Sequence, residues 1–216
     1  MGQREQNNAD KRARILRAAE EMLPLLRPHE VKLDDVATAA GVGKGTIYLY
    51  FKDKEDLFLH LAMAGFEELC GMIRKEASAN GEFPARLLAV CRKISGFFER
   101  RRALFRVMQA DPPKSPAFTD SAYEQWMERR RDLVTAVADL MAGGQREGVL
   151  RRDVPPAVLA NFFLGMLRTR ARDMGEESET HRDHAFVIRL FAEGAGNGGR
   201  MKTREHFTTI LETNQS

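Results

Sequence analysis

The sequence has 216 residues, 43% hydrophobic and 30% charged, a balance that is typical of globular proteins and excludes an intrinsically disordered chain. The net charge is only +3, and residues 1–57 carry ten Lys or Arg against ten Asp or Glu, so charge alone does not indicate a nucleic-acid ligand. No stretch reaches the length of about 20 apolar residues that a membrane helix needs, and no secretory signal is evident. Cys70 and Cys91 do not have the spacing of a metal-binding pair. We therefore expect a cytoplasmic protein without a membrane partner.

Apolar residues recur at three- and four-residue spacing along the chain, and this periodicity predicts an all-α fold of about nine helices. In chain order, the helices are predicted from near residue 10 to 23 and over 33–40, 44–51, 53–80, 84–98, 104–110, 121–147, 155–174 and 181–193. Gly41 is expected to end the second helix, and Asp53 to cap the fourth with Asp56 as a capping-box-like partner. Pro-rich residues 111–116 predict a loop.

The most informative segment is 33–51, LDDVATAAGVGKGTIYLYF. A short helix, a tight turn at Gly41 and a second short helix form the unit that inserts its second helix into the major groove of DNA. That groove is about 12 Å wide and accepts one helix with small or polar side chains at its leading end. Lys44, Gly45 and Thr46 supply such an end, so the segment predicts a DNA-binding helix-turn-helix.

The segment GVGKGTIYLYFKDKEDLF resembles the signature of the tetracycline-repressor (TetR) family, in which a Lys-Gly-Thr-aliphatic-Tyr-x-Tyr/His-Phe helix precedes a Lys-Glu-x-Leu helix start. ILRAAEEML and VKLDDVATAAGV are similar to that family's first two helices, so the resemblance covers about the first third of the chain. It departs from the pattern at Gly43, where the family has a Ser N-cap, and at Lys32, where it has Thr.

The resemblance implies a role for each matching residue of the head. Lys44, Gly45 and Thr46 are expected at base edges. Backbone phosphates are expected to be bound by Tyr48, Tyr50 and Lys54, and flanking phosphates or the minor groove by Lys11, Arg12 and Arg14.

The resemblance also implies a DNA-binding domain at 8–69 with its motif at about 32–51, a ligand-binding and dimerisation domain at 70–199, and a flexible tail at 200–216. Broad apolar faces on the last two long helices predict a four-helix dimer interface of Leu159, Phe163, Leu167, Phe186, Val187, Leu190 and Phe191. Bulky or soft side chains predict a ligand pocket of Phe97, Phe98, Met108, Trp126, Phe162, Phe163, Met166 and Arg168. The chain is thus expected to be a ligand-responsive repressor that binds a pseudo-palindromic operator as a homodimer, with an unknown small-molecule effector.

Several alternatives stay open at this point. The aromatic positions can be ordinary core, Tyr48 or Tyr50 can be buried, and the basic N-terminal cluster can be a solvated helix face. The arginine runs at 100–102, 129–131 and 168–172 fit solvated faces or inter-helix ion pairs better than a second nucleic-acid site, although Arg168 could bind an anionic ligand.

Catalytic and metal sites have little support in the sequence. His181 and His184, with Asp183 beside them, sit at a helical spacing that could bind a metal. No further ligand of matching geometry is evident nearby, so we expect no metal. No nucleophile elbow, zinc-protease motif, phosphate loop or dinucleotide fingerprint is found, so we expect neither a cofactor nor an enzyme. Two rival hypotheses remain: a ligand-binding protein whose head no longer binds DNA, and an enzyme that uses a cavity of the second domain.

Overall fold

A computed structural model describes residues 2–23, 30–109, 120–174 and 179–196. The helices in these ranges are α1 (Gln3–Met22), α2 (Leu33–Ala39), α3 (Lys44–Tyr50), α4 (Lys54–Ala77), α5 (Phe83–Arg100), α6 (Arg102–Gln109), α7 (Asp120–Arg146), α8 (Pro156–Asp173), α9 (Glu179–Arg182) and α10 (His184–Ala195). The only extended pairing in the same ranges is an isolated bridge between Leu150 and Gly196. The all-α prediction is therefore confirmed, and the short α9 is the one helix that the sequence did not indicate. The predicted loop at 111–116 and the tail at 200–216 lie outside the described residues.

The first helix begins about seven residues earlier than predicted. The backbone N–H of Gly2 donates to Glu5 Oε2 at 2.9 Å, and Glu5 thereby binds the N-terminus of α1 at Gln3. The described side chains from Glu5 to Asn8 are exposed and polar, so this part of α1 carries no apolar stripe. A prediction based on apolar periodicity therefore placed the start near Asp10.

Gly41 ends α2 as predicted, and the geometry explains why glycine is needed there. Its φ is +63°, in the left-handed region that side chains with a Cβ rarely adopt. The N–H of Val42 donates to the carbonyl of Ala37 at 2.9 Å, and the N–H of Gly41 donates to that of Thr38 at 3.1 Å. These two bonds form a Schellman motif, which turns the chain sharply from α2 into α3.

The chain divides into two compact units by its contacts. The first comprises Met1–Phe66 and Arg101–Arg129, and the second comprises Glu67–Arg100 and Arg130–Ser216. In the first unit, α2 packs against both α1 and α3 around a core that includes Ile15, Val36 and Ile47. In the second unit, α5, α8 and α10 pack against one another. Both α4 and α7 contribute residues to the two units. Within the described ranges, no helix is long and apolar enough to cross a membrane.

One joint in the second unit connects three helices. Arg86 donates to the carbonyl of Ala77 at 3.2 Å and pairs with Glu147, whose other oxygen accepts the N–H of Phe83 at 3.0 Å. Gly144 lies against the Phe83 ring. The end of α4, the start of α5 and the segment after α7 are therefore held together by charged hydrogen bonds and a close ring contact.

Candidate nucleic-acid interface

The third helix presents one face to the core and the other to solvent. Ile47 is fully buried, whereas Tyr48 is 54% exposed and Leu49 is 83% exposed. A Cβ placed on Gly45 would meet no atom within 4 Å, so the leading end of the helix is open. An exposed helix with a narrow, polar leading end has the shape that a major groove accepts.

Lys44, the first residue of α3, is paired within the protein. Its Nζ lies 2.9 Å from Asp34 Oδ2, an oxygen on the first turn of α2. Hydrogen bonding and charge attraction by Asp34 raise the pKa of Lys44 above its ordinary value. Both side chains remain substantially exposed, so water and other anions can compete for the ammonium group.

Two of the predicted phosphate-binding residues, both arginines of α1, make contacts inside the head. The guanidinium of Arg14 donates to the carbonyls of Ala40 and Gly41 at 2.6 and 3.1 Å, and so binds the end of α2. Arg12 lies over the ring of Phe51, 5.7 Å from its centroid. These contacts give both arginines a role in holding α1 against the helix-turn-helix, which the sequence did not predict.

The other head residues lie around α3 as follows. The hydroxyl of Tyr50 donates to Asn8 Oδ1 at 3.1 Å, which joins the end of α3 to α1. Lys11 is exposed, and Thr46 is half-buried near the start of α3. The N–H of Thr46 donates to the carbonyl of Gly43 at 2.8 Å. Helix α3 therefore carries Lys44, Gly45, Thr46 and Tyr48, and Tyr50 lies at its C-terminal end.

Lys54 is the first residue of α4 and directly follows the N-cap residue Asp53. The N–H of Asp56 donates to Asp53 Oδ1 at 2.7 Å, which confirms the predicted N-cap. The reciprocal bond differs from a standard capping box, because Asp56 accepts the N–H of Lys52 at 2.9 Å. The cap fixes the N-terminus of the helix on which Lys54 is carried.

Sequence reasoning missed two residues of this surface. Asp34 forms an ion pair with Lys44 across ten positions of the sequence, a partner that helical periodicity does not indicate. Leu49 follows buried Ile47 by two positions, a spacing that turns a helical side chain away from the core, so this signal was present in the sequence.

The eight predicted pocket residues fall into three groups. Phe97, Phe98 and Phe163 are buried in the second unit, while Met108 and Trp126 are buried in the first unit. Phe162, Met166 and Arg168 line an open groove instead. Within the second unit, Phe162 is exposed and Phe163 is buried, because consecutive residues of a helix point about 100° apart and meet different surroundings.

The groove between α8 and α10 has a volume of about 590 Å³. Its lining is mostly apolar and includes three of the predicted dimer residues, Phe186, Val187 and Leu190. Phe162 is 67% exposed and Leu190 is 53% exposed along it. The other predicted dimer residues, Leu159, Phe163, Leu167 and Phe191, are buried beneath this face.

Asp183 and His181, two of the three residues weighed as metal ligands, make capping and packing contacts. Asp183 Oδ1 accepts the N–H of Ala185 at 3.2 Å and so caps α10. The ring of His181 lies 5.2 Å from that of Phe186. Within the described ranges, no group of three or more His, Cys, Asp or Glu side chains is placed to hold a metal ion.

The fold and the exposed third helix define a helix-turn-helix regulator. The family model described as bacterial regulatory proteins of the tetR family matches residues 15–61, and that of the tetracyclin repressor-like C-terminal domain matches residues 80–172. The chain belongs to the TetR family of DNA-binding transcriptional regulators, as the signature around Lys44 predicted.

Three relatives illustrate the likeness. Over 165 residues the chain is 28% identical to the uncharacterized HTH-type transcriptional regulator YfiR of Bacillus subtilis, covering 73% of this chain and 77% of that protein. The fatty acid degradation regulator FadR of Bacillus halodurans superposes with a TM-score of 0.71 at 20% identity, over 85% of this chain and 95% of that one. FadR of Bacillus subtilis in complex with stearoyl-CoA gives 0.70 at 18% identity, over 84% and 98%. At these identities the two solved structures show the shared fold.

Proposed function

We propose that this regulator is a ligand-responsive repressor without enzymatic activity, which binds a pseudo-palindromic operator as a homodimer in the cytoplasm. The observation that carries the proposal is the exposure of Lys44, Gly45 and Tyr48 on a helix anchored by the fully buried Ile47. The buried side fixes the direction of the helix, and the exposed side supplies a cation, a position without a side chain and a phenol, which suit base edges and phosphates.

The dimer part of the proposal rests on the groove between α8 and α10. Apolar groups as large as Phe162 and Leu190 are exposed there, and exposed apolar patches of this kind typically mark protein interfaces. A second copy related by a two-fold axis would cover the groove with the same two helices. Two heads would then face successive major grooves, about one helical turn apart.

The effector part rests on the family and on the path of one helix. A likeness to FadR, solved with stearoyl-CoA, makes that molecule the first probe for an effector of the second unit. Helix α4 contributes residues to both units, so an effector that displaces α4 would change the spacing of the heads and weaken operator binding. Couplings of this kind are typically about 1–3 kcal/mol.

Titration of the purified protein against its own upstream DNA, at several salt concentrations, tests the proposal. We expect a preference over a scrambled duplex and a steep fall of affinity with salt, because phosphate contacts release counterions. Stearoyl-CoA is then added to the complex, and release of the duplex is the expected response to an effector.

Lys44→Ala should lower affinity for the upstream DNA about tenfold or more, because a base-edge contact is lost. The matched control is Lys75→Ala, which removes an exposed lysine of α4 in the second unit and should leave binding unchanged. Equal binding by wild type and Lys44→Ala would favour the rival hypothesis of a ligand-binding protein without a DNA-reading head. Wild-type binding without sequence preference or salt dependence would contradict the proposal.

A further inference from the structure

Lys44 and Asp34 connect the first turns of the two helices of the helix-turn-helix. Lys44 begins α3, and Asp34 is the second residue of α2. The amino-acid pair is separated by ten positions, and the tight turn at Gly41 brings the ammonium group within 2.9 Å of the carboxylate. The basic group expected to read DNA is therefore already bound to an anion of the same surface.

The first turn of α3 carries no negatively charged side chain of its own. Its N-cap is Gly43, which offers no side-chain hydrogen bond, and no acidic residue lies in its first turn. A cation is unfavourable at the positive end of a helix, because the backbone dipoles there repel it. Asp34 offsets this repulsion from the neighbouring helix, which gives the pair a physical reason to persist in the free protein.

We propose that Asp34 is a specificity-determining residue, which acts by holding Lys44 back from phosphates until an acceptor on a base edge replaces the carboxylate. The inference rests on the proposed DNA binding and adds to it a residue that carries negative charge. On a non-cognate duplex, Lys44 stays bound to Asp34 and the carboxylate repels nearby phosphates. On a cognate duplex, a guanine edge offers Lys44 an acceptor of matching geometry, and the exchange takes place.

Exposure permits such an exchange. The Lys44 side chain is 70% exposed and that of Asp34 is 42% exposed, so the ion pair is screened by water and is of the weak, surface kind. Hydrogen bonding and charge attraction by Asp34 raise the pKa of Lys44, and the ammonium group is a charged donor at neutral pH whether or not the pair is formed. The 2.9 Å contact directs Lys44 towards Asp34 in the free protein, and its exposure lets it open.

Asp34→Asn tests the inference, with Asp35→Asn as the matched control. Asp35 is the next carboxylate on the same turn of α2; among the described residues it acts on Lys44 through its charge and not through a hydrogen bond. We expect Asp34→Asn to raise affinity for a scrambled duplex about threefold or more and to steepen its salt dependence by about one phosphate contact. Because affinity for the upstream DNA changes less, the specificity ratio falls. Asp35→Asn should change both affinities equally, as a general charge effect.

Two further variants separate this role from a structural one. Asp34→Glu keeps the charge and should restore the wild-type ratio. In a Lys44→Met background, Asp34→Asn should change the salt dependence of DNA affinity no more than Asp35→Asn does. Circular dichroism checks that each variant folds. Equal effects of Asp34→Asn and Asp35→Asn with Lys44 present would overturn the inference while leaving the proposed function intact. A wild-type protein that shows no DNA preference would overturn the proposed function itself, and the inference with it.

Discussion

Two adjacent glycines of α7 have different surroundings. A Cβ on Gly144 would lie 2.7 Å from carbon atoms of the Phe83 ring, closer than real Cβ contacts allow. A Cβ on Gly143 would lie 3.8 Å from nitrogen atoms of Arg86 and Arg146, which is ordinary contact. The ring of Phe83 is fully buried and cannot move aside easily.

Gly144→Ala is therefore expected to destabilise the protein by about 1–3 kcal/mol, as overpacking of a well-packed core does. Gly143→Ala should instead be neutral or stabilising by up to about 1 kcal/mol, because alanine favours the helix more than glycine does. Chemical denaturation of the two variants measures the difference. Equal stabilities would show that the Phe83 ring yields to the added methyl group.

His184, the first residue of α10, gives stability a pH dependence. Burial lowers its pKa, and the Arg170 guanidinium and Arg92 lower it further, while Glu99 and Asp183 act in the opposite direction. Its Nε2 has no hydrogen-bond partner among the residues that the structure describes. The unfolded chain, with a histidine pKa of about 6.5, therefore binds the proton more readily than the folded chain does.

The contribution of neutral His184 to the free energy of unfolding should accordingly be fully present above about pH 6.5. It should fall as the pH is lowered through that value. Melting curves at pH 7.5 and 5.5 measure the loss, and His184→Gln should reduce it. His181→Gln, which removes an exposed histidine close by in the sequence, is the matched control. If the loss of stability between pH 7.5 and 5.5 is unchanged in His184→Gln, other groups cause it.

At the scale of elements, α1 is tied to the helix-turn-helix by Arg14. Its two hydrogen bonds to the carbonyls of Ala40 and Gly41 satisfy the end of α2, where helical carbonyls have no partner in the helix. The resemblance implied a phosphate contact for this residue, and the observed bonds favour a role in positioning α2 and α3.

Arg14→Met is expected to lower the stability of the head by about 1 kcal/mol, because charged hydrogen bonds to the backbone are lost. Lys11→Met, one helical turn earlier on α1 and exposed, is the control and should leave stability unchanged. Hydrogen exchange of the amides in α2 reports the effect locally. If both variants lose DNA affinity at unchanged stability, Arg14 acts on phosphates as the resemblance implied.

At the scale of the whole molecule, the groove between α8 and α10 connects dimerisation to DNA binding. Phe162→Glu or Leu190→Glu would place a charge where the proposal expects apolar contact between two copies. Either substitution should convert a dimer to monomers in analytical ultracentrifugation. Affinity for the upstream DNA should fall about 100-fold or more, since binding of the second half-site is no longer intramolecular.

Tyr123→Glu provides the control for this experiment. Tyr123 is 46% exposed on α7 and does not line the groove, so the charge should change neither the assembly nor the binding of DNA. A Phe162→Glu protein that stays dimeric would place the interface elsewhere.

The helices and the turn of the helix-turn-helix could be predicted from sequence because their causes are local. Apolar spacing sets the buried face of α2, and the conformation at Gly41 is available to glycine with little cost. Asp53 caps α4 through a residue three positions away. Where the local signal was absent, as in the polar start of α1 at Gln3, the predicted boundary was wrong.

The partners of the charged side chains could be decided only by the tertiary structure. Lys44 meets Asp34, and Arg14 meets Ala40, across ten and 26 positions, and these distances depend on the angles at which helices cross. Phe162 and Phe163 are both apolar in sequence, yet the packing of α8 exposes one and buries the other. The sequence alone thus determined the helical elements and the family, because short-range geometry and motif spacing specify them. Which residues face solvent, an ion-pair partner or the core follows from long-range packing, which no local pattern encodes.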